Sequence, residues 1–321
     1  MIHTGFPAGG PTLGEVGERG VIQAIVGAAP SAINGDDAAV LGPSAPNSRV
    51  VASTDMLVQD RHFSPRYTTA YQVGRKAVVQ NFADIEAMGA RPIAALLALS
   101  APPSTPVAVV EELARGVGEM TQAWGAELVG GDVTSGTELV VSVTAIGSLG
   151  GNLDALRLDR ARPGQRVVAH GAIGRSAAGL ALLQSGVDIP AELEPLVAAH
   201  QAPTITPGRG VVARAAGATA MTDNSDGLVK DLATLARISG VGLDLSSVAL
   251  TPDPLLVGAG ELLGTDPWEW VLTGGEDHTL VGTVDGSAPV GFRSIGTVTR
   301  TPGVRVDGAE PAHAGGWESF A

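Results

Sequence analysis

The chain contains no cysteine, which excludes disulfides, thiolate catalysis and cysteine-based zinc or iron–sulfur sites. Aromatic residues make up only 3% of it, so the core has to be built from Ala, Val, Leu and Ile. Positive charge is scarce as well: 20 Lys and Arg stand against 33 Asp and Glu, a net charge of −13. A non-specific nucleic-acid binder needs a basic stripe against phosphate, and this composition argues against one. If the ligand is anionic, positive charge has to come from elsewhere, and a divalent cation is the economical source. Apolar runs such as 93–99 fall far short of the ~18 residues that a membrane-spanning helix needs. Residues 1–17 lack the basic start and apolar stretch of a signal peptide. A soluble cytoplasmic protein with no membrane partner is the expectation.

The length, 321 residues, is too great for one ordinary core and makes two domains the prior. A hydrophobic content of 44% with 44 glycines describes a folded, loop-rich chain. Apolar periodicity predicts helices over 13–29, 69–88 and 107–124, the first ended by Pro30 and the second by Gly89 and Pro92. Strands are expected over 49–56, buried and with Asp55 at its exit, and over 93–99, 127–129 and 139–146. The mixture suggests an α+β layer with helices on one face. A polar, Arg- and Asp-rich stretch over 150–162 marks the boundary between an N-terminal domain, 1–150, and a C-terminal α/β domain, 151–321. In the latter, strands are expected over 166–169, 218–222, 268–272 and 278–284, and a helix follows Gly227, capped by Ser225 or Asp226. The turn Gly171-Ala172-Ile173-Gly174 between a strand and a helix superficially resembles a phosphate loop. It matches neither the P-loop nor the dinucleotide pattern, and close helix–strand packing is the simpler reading.

Acidic groups recur at the edges of apolar segments: Gly35-Asp36-Asp37-Ala38, Ser53-Thr54-Asp55, Asn81-Phe82-Ala83-Asp84, Gly130-Gly131-Asp132, Asp223-Asn224-Ser225-Asp226 and Gly274-Gly275-Glu276-Asp277. A single Asp after a strand is most often a turn former or a helix cap. As a set, with no Lys or Arg inside the motifs, the carboxylates would repel one another unless they bind cation. Oxygen ligands of this kind suit a hard ion such as Mg²⁺. Asn81 and Asp84 are three residues apart and share a helix face. Lys76 and Lys230 read as helix-surface charges, the latter within reach of Asp226 or Asp231, and Trp317 reads equally well as a packing residue.

Six motifs in this order and spacing, from about Gly14 to Phe320, resemble the thiamine-monophosphate kinases, in the superfamily that includes aminoimidazole ribonucleotide synthetase and selenophosphate synthetase. The resemblance implies ATP-dependent phosphorylation of thiamine monophosphate to thiamine diphosphate, assisted by several Mg²⁺ ions. By motif position it gives metal roles to Asp37, Ser53, Thr54, Asp55, Asp84, Asp132, Asp223 and Asp226, with Asp36 supporting the turn. Nucleotide contacts fall to Gly131, Asp132 and Ser225, with Arg157 the candidate for an ATP-contacting arginine; His62, Glu276 and Trp317 match positions near the thiamine substrate. It also implies an N-terminal domain that pairs with its twin in a homodimer sheet or barrel, and a C-terminal α/β domain that completes the substrate site. Asn81 stands where many relatives have Ser, and His278 where Tyr is common. The acceptor would be a phosphate monoester, anionic near neutrality because its second pKa is ~6, so no general base is required and direct in-line transfer is expected. The alternatives are another ATP-dependent synthetase of the superfamily or a non-catalytic nucleotide- or metal-binding relative. Selenophosphate synthetase and the hydrogenase-maturation relative rely on a cysteine or selenocysteine that this chain lacks.

Overall fold

The structure, a computed structural model, describes residues 4–31 and 47–319. The motif Gly35-Asp36-Asp37-Ala38 lies outside the described residues. The chain divides into two compact units, Met1–Ile85 with Pro92–Gly151, and Glu86–Arg91 with Asn152–Ala321. Among the described residues no helix is long and apolar enough to cross a membrane.

The first unit opens with α1 (Leu13–Ala28), started by a reciprocal capping box between Thr12 and Glu15. Then follow β1 (Arg49–Val58), α2 (Ala70–Ala87), β2 (Arg91–Ala101), α3 (Val107–Ala123), β3 (Glu127–Ser135) and β4 (Val140–Leu149). The four strands form one sheet in the order β1-β4-β2-β3, with β1 antiparallel to β4 and β2 parallel to β3. On β4 every second residue, including Val141, Val143 and Ala145, is buried, the period of a strand with one face on a core. Two of the scarce aromatics, Phe82 and Trp124, meet edge to face at 5.5 Å.

Two expectations change here. The strand β1 is apolar yet not buried: it is an edge strand, and on its outer face Val50 is 69% and Met56 56% exposed. The strand β3 does not stop at Val129. It runs through Gly130-Gly131-Asp132, whose glycines pair with Leu96 and Leu97 of β2. A side-chain carbon on Gly131 would lie 1.8 Å from the Leu97 carbonyl oxygen, so this glycine serves a close backbone approach and does not end the strand.

The second unit contains β5 (Arg166–His170), α4 (Arg175–Ser185), α5 (Glu194–Gln201), α6 (Arg209–Ala215), β6 (Ala218–Asp223), α7 (Leu228–Ser239) and β7 (Gly242–Leu245). It continues with α8 (Ser247–Leu250), α9 (Pro254–Leu263), α10 (Pro267–Thr273), β8 (Leu280–Val284), β9 (Arg293–Thr299) and β10 (Gly303–Val306). Its six-stranded mixed sheet has the order β10-β7-β9-β5-β8-β6. Val167, Val168, Val281 and Ile295 are among the residues that fill its interior. The strand expected over 268–272 is instead the helix α10. Asp266 caps it by accepting from Trp268 N–H at 3.1 Å, and Pro267 occupies the first turn. This start signal overrides the strand preference of Trp and Val.

Glu86, in the last turn of α2, belongs to the second unit and is fully buried. Its oxygens accept from Gly208 N–H at 2.8 Å and Gly210 N–H at 2.5 Å, at the start of α6. Burial pushes its carboxyl up to about 7, against the pull of these N–H groups and of Arg209. The folded chain therefore retains this proton up to about pH 7, whereas the unfolded chain releases it near 4.5. The stability it contributes is fully present below the lower value and is lost as pH rises through the upper one. Glu86→Gln keeps a neutral acceptor and cannot ionise. It should gain on the wild type by roughly 2–3 kcal/mol between about pH 5 and about pH 8. Urea unfolding at both pH values measures this difference, and parallel pH profiles would contradict it.

Candidate functional site

In the first unit, β1 and α2 bring part of the acidic set together. Ser53 Oγ donates to Asp84 Oδ2 at 2.5 Å. One turn back on α2, Asn81 Oδ1 accepts from the Asp55 N–H at 2.9 Å while its own amide donates to the Ala77 carbonyl oxygen. Asn81 and Asp84 thus present one face of the helix to the strand, as their spacing predicts. Thr54 points to the opposite face, where its hydroxyl donates to the Val143 carbonyl oxygen at 3.1 Å and meets Thr144 Oγ1 at 2.9 Å. Asp132 is exposed on β3, at the other edge of the sheet from β1. Three strand spacings are on the order of 14 Å. Among the described residues no three His, Asp or Glu side chains converge as a metal centre would require.

The loop after β1 is tightly folded. His62 Nδ1 accepts from Val58 N–H at 3.0 Å, and the His62 carbonyl oxygen accepts from Lys76 Nζ at 3.2 Å. Lys76, expected on a helix surface, is only 2% exposed. Its stem crosses the core and its ammonium is spent on ordering the His62 loop.

In the second unit, two loops are laced together beyond the end of the β6–β8 ladder. Asn224 N–H donates to Thr279 O at 2.8 Å, His278 N–H to Asn224 O at 3.0 Å and Glu276 N–H to Ser225 O at 2.9 Å. A side-chain carbon on Gly275 would come within 2.1 Å of the Ser225 carbonyl oxygen, so the Gly-Gly-Glu-Asp motif needs its second glycine for this contact. Glu276 and His278 both take left-handed backbone angles, with φ of 62° and 52°, a strained arrangement of the kind concentrated at functional sites. Asp223 is buried, and its Oδ2 lies 2.9 Å from His278 Nδ1. Glu276 Oε2 lies 3.3 Å from Nδ1 of the buried His200, which also meets Ser176 Oγ at 3.2 Å. Asp226 Oδ2 pairs with Lys230 at 3.1 Å, and the Asp226 carbonyl oxygen accepts from Trp317 N–H at 2.8 Å. Arg157 makes a two-pronged pair with its neighbour Asp159, at 3.1 and 3.2 Å, on the surface.

Neither Ser225 nor Asp226 caps α7 with its side chain; the cap residue is Gly227. Asp231, one turn into the helix, reaches back instead, and its Oδ2 accepts from the N–H groups of Ser225, Asp226 and Gly227, each at 3.1 Å. Burial pushes its carboxyl up to about 7, helped by the charges of Asp223 and Asp226 and opposed by the N–H donors. Asp277 plays the same part for the glycine turn before α4, accepting from Gly174 N–H at 2.6 Å and Ser176 N–H at 2.9 Å. Its carboxyl is likewise raised to about 7 by burial. The first turn of α4 is therefore filled by a protein carboxylate, in keeping with helix–strand packing there.

Sequence reasoning missed His200 and the anchoring roles of Asp231 and Asp277. An Asp in the first turn of a helix is a legible cap-like signal for Asp231, whereas nothing local marks His200. Asp231→Ala leaves three N–H donors without their acceptor and should cost roughly 2–4 kcal/mol. Asp231→Asn, which keeps an acceptor oxygen, should cost less than half as much. Equal losses in urea unfolding would remove the acceptor role.

Residues 35–149 match the family model for AIR synthase related protein, N-terminal domain. The chain is 61% identical to the thiamine-monophosphate kinase of Corynebacterium glutamicum over 316 residues, covering 97% of this chain and 96% of the relative. It is 47% identical to the thiamine-monophosphate kinase of Mycobacterium tuberculosis over 317 residues, covering 97% and 93%. Among solved structures, AaThiL complexed with AMPPCP and TMP superposes with a TM-score of 0.78 at 32% identity, covering 98% of this chain and all of the other, 100%.

Proposed function

The chain belongs to the thiamine-monophosphate kinase family, and from that premise we propose that it transfers the γ-phosphoryl group of ATP to thiamine monophosphate. The products are thiamine diphosphate and ADP. The observation that carries the reading is the 61% identity to a relative of that name across 97% of this chain. The relative complexed with AMPPCP and TMP, which spans 98% of the chain, supports ATP as donor. A phosphate oxygen of the acceptor attacks the γ-phosphorus in line, the bond from that phosphorus to the β,γ-bridging oxygen breaks, and ADP leaves. No side chain has to remove a proton, since the monoester's second pKa is ~6.

The donor set fits Mg²⁺, which usually takes one or two carboxylates and completes its shell with phosphate oxygens and water. Ser53 and Asp84, in direct contact on a half-buried face, offer such a partial set. With Asp37, Thr54, Asp55 and Asp132, and with Asp223 and Asp226 in the second unit, they are the residues we assign to several Mg²⁺ ions. Bound Mg²⁺ would neutralise the two polyanions and align the attacking and leaving oxygens. Gly131, Asp132, Ser225 and Arg157 are assigned to the nucleotide, and His62, Glu276 and Trp317 to the thiamine substrate. The Lys76 contact and the Val58 N–H hold the His62 loop in shape for that task. A homodimer is part of the reading: the exposed outer face of β1, with Val50 and Met56, is an apolar edge that a second copy would cover. Use of ATP goes with a cytoplasmic setting.

An ATP-consumption assay with thiamine, thiamine monophosphate and aminoimidazole precursors tests the reading. Turnover is expected with thiamine monophosphate alone, and turnover only with another acceptor would overturn it. In the same assay Asp84→Asn should lose about 100-fold or more in rate, the scale of a lost electrostatic contact to the transition state. Its unfolding midpoint should stay close to that of the wild type. Near-normal turnover at saturating Mg²⁺ would remove its metal role. Quench-flow with radiolabelled ATP should find no acid-stable label on the protein before product forms; such label would replace direct transfer with a phosphoenzyme.

A further inference from the structure

Lys230 lies at the meeting point of three groups. Its ammonium pairs with Asp226 Oδ2 at 3.1 Å and with Glu318 Oε1 at 3.2 Å, and it donates to the carbonyl oxygen of Trp317. Beside it the Trp317 N–H donates to the Asp226 carbonyl oxygen at 2.8 Å. Both backbone groups of Trp317 are therefore tied to the start of α7 and the loop before it. The segment is fixed a second time upstream, where His313 Nε2 meets Asp266 Oδ2 at 2.8 Å. Asp266 is in turn the cap of α10, whose far end leads into the Gly274-Gly275-Glu276 loop.

We propose that Lys230 is a positioning residue for the acceptor substrate. By holding the 313–318 segment against the Asp226 loop, it presents the half-exposed Trp317 ring at a fixed place. The use of that ring for the thiamine moiety rests on the function proposed above; the tether itself does not. Two features favour Lys230 over a general packing effect. Two of its three partners, Asp226 and Trp317, are residues whose side chains have assigned roles. The hydrogen bonds are also charge-assisted, the kind that fixes geometry at a partly exposed site. Lysine suits the position because one ammonium donates in three directions.

The tether has a direct readout. Chymotrypsin cuts after Trp317 only if the Trp317 carbonyl can enter the protease, and that carbonyl is the group Lys230 holds. In Lys230→Met, which retains the apolar stem, cleavage after Trp317 should accelerate about tenfold over wild type, as expected for loss of a charge-assisted hydrogen bond. Lys230→Arg should restore part of the protection. In steady-state assays the KM for thiamine monophosphate should rise by about tenfold while the KM for ATP changes by less than about twofold, a split that general destabilisation would not produce. Unchanged cleavage would overturn the tether. Faster cleavage with an unchanged KM for thiamine monophosphate would overturn the positioning role. If the wild type fails to phosphorylate thiamine monophosphate, accelerated cleavage in Lys230→Met still supports the tether, and the substrate assignment falls with the proposed function. Should Lys230→Met not fold, Glu318→Gln removes one exposed arm of the network. It should shift cleavage and KM in the same direction by about threefold, and no shift in either would overturn the proposal.

Discussion

A carboxylate can be buried only where other groups take over the work of water, and the second unit is organised around three that meet this condition with backbone N–H groups. Glu86 accepts from the start of α6, Asp277 from the turn before α4, and Asp231 from the loop before α7. Each pins a segment that has no side-chain cap of its own. Two of the three, Asp231 and Asp277, bear directly on the loops that carry the candidate site. Burial raises all three carboxyls to about 7, so the groups that order these loops also sit at the edge of ionisation near neutrality.

Those anchors leave the neighbouring acids to side-chain partners, Asp226 to Lys230 and Glu276 to His200. Because Asp231 satisfies the backbone of the Asp223–Gly227 loop, the side chains of Ser225 and Asp226 are not consumed as helix caps. Because Asp277 is turned onto the turn before α4, its neighbour Glu276 is left to meet the buried His200 and stays partly exposed. The left-handed angles at Glu276 and His278 are the backbone cost of folding this short loop tightly. The first unit uses another device: a strand and a helix meet through Ser53, Asn81 and Asp84, with period two on β1 matched to a three-residue step on α2.

Much of this architecture was legible beforehand. The helices α2 and α3 end within a residue or so of where periodicity and the Gly89 stop signal put them. That Asn81 and Asp84 share one helix face followed from their spacing; that this face meets β1 did not. The misreadings have local causes. Trp268-Glu269-Trp270-Val271-Leu272 has strand-like composition, but the Asp266-Pro267 start made it a helix. Gly130 and Gly131 looked like a strand end because glycine usually punctuates, and here they permit close pairing with β2. Lys76 looked like a surface charge because its type usually is one, yet it crosses the core to a carbonyl oxygen.

By itself, the sequence determined the absence of thiol chemistry, the acidic balance, the positions of the three helices of the first unit and the family to which the chain belongs, since composition, short-range periodicity and ordered motifs are all local properties. It also determined which acids were candidates. Only the tertiary structure decided which of them are spent on the fold. Glu276 and Asp277 read alike along the chain, yet Asp277 is buried against backbone N–H groups while Glu276 pairs with His200. The difference depends on groups far apart in sequence, the N–H groups of 174–176 for Asp277 and His200 for Glu276, and no local pattern reports which of two neighbouring acids a distant N–H will meet.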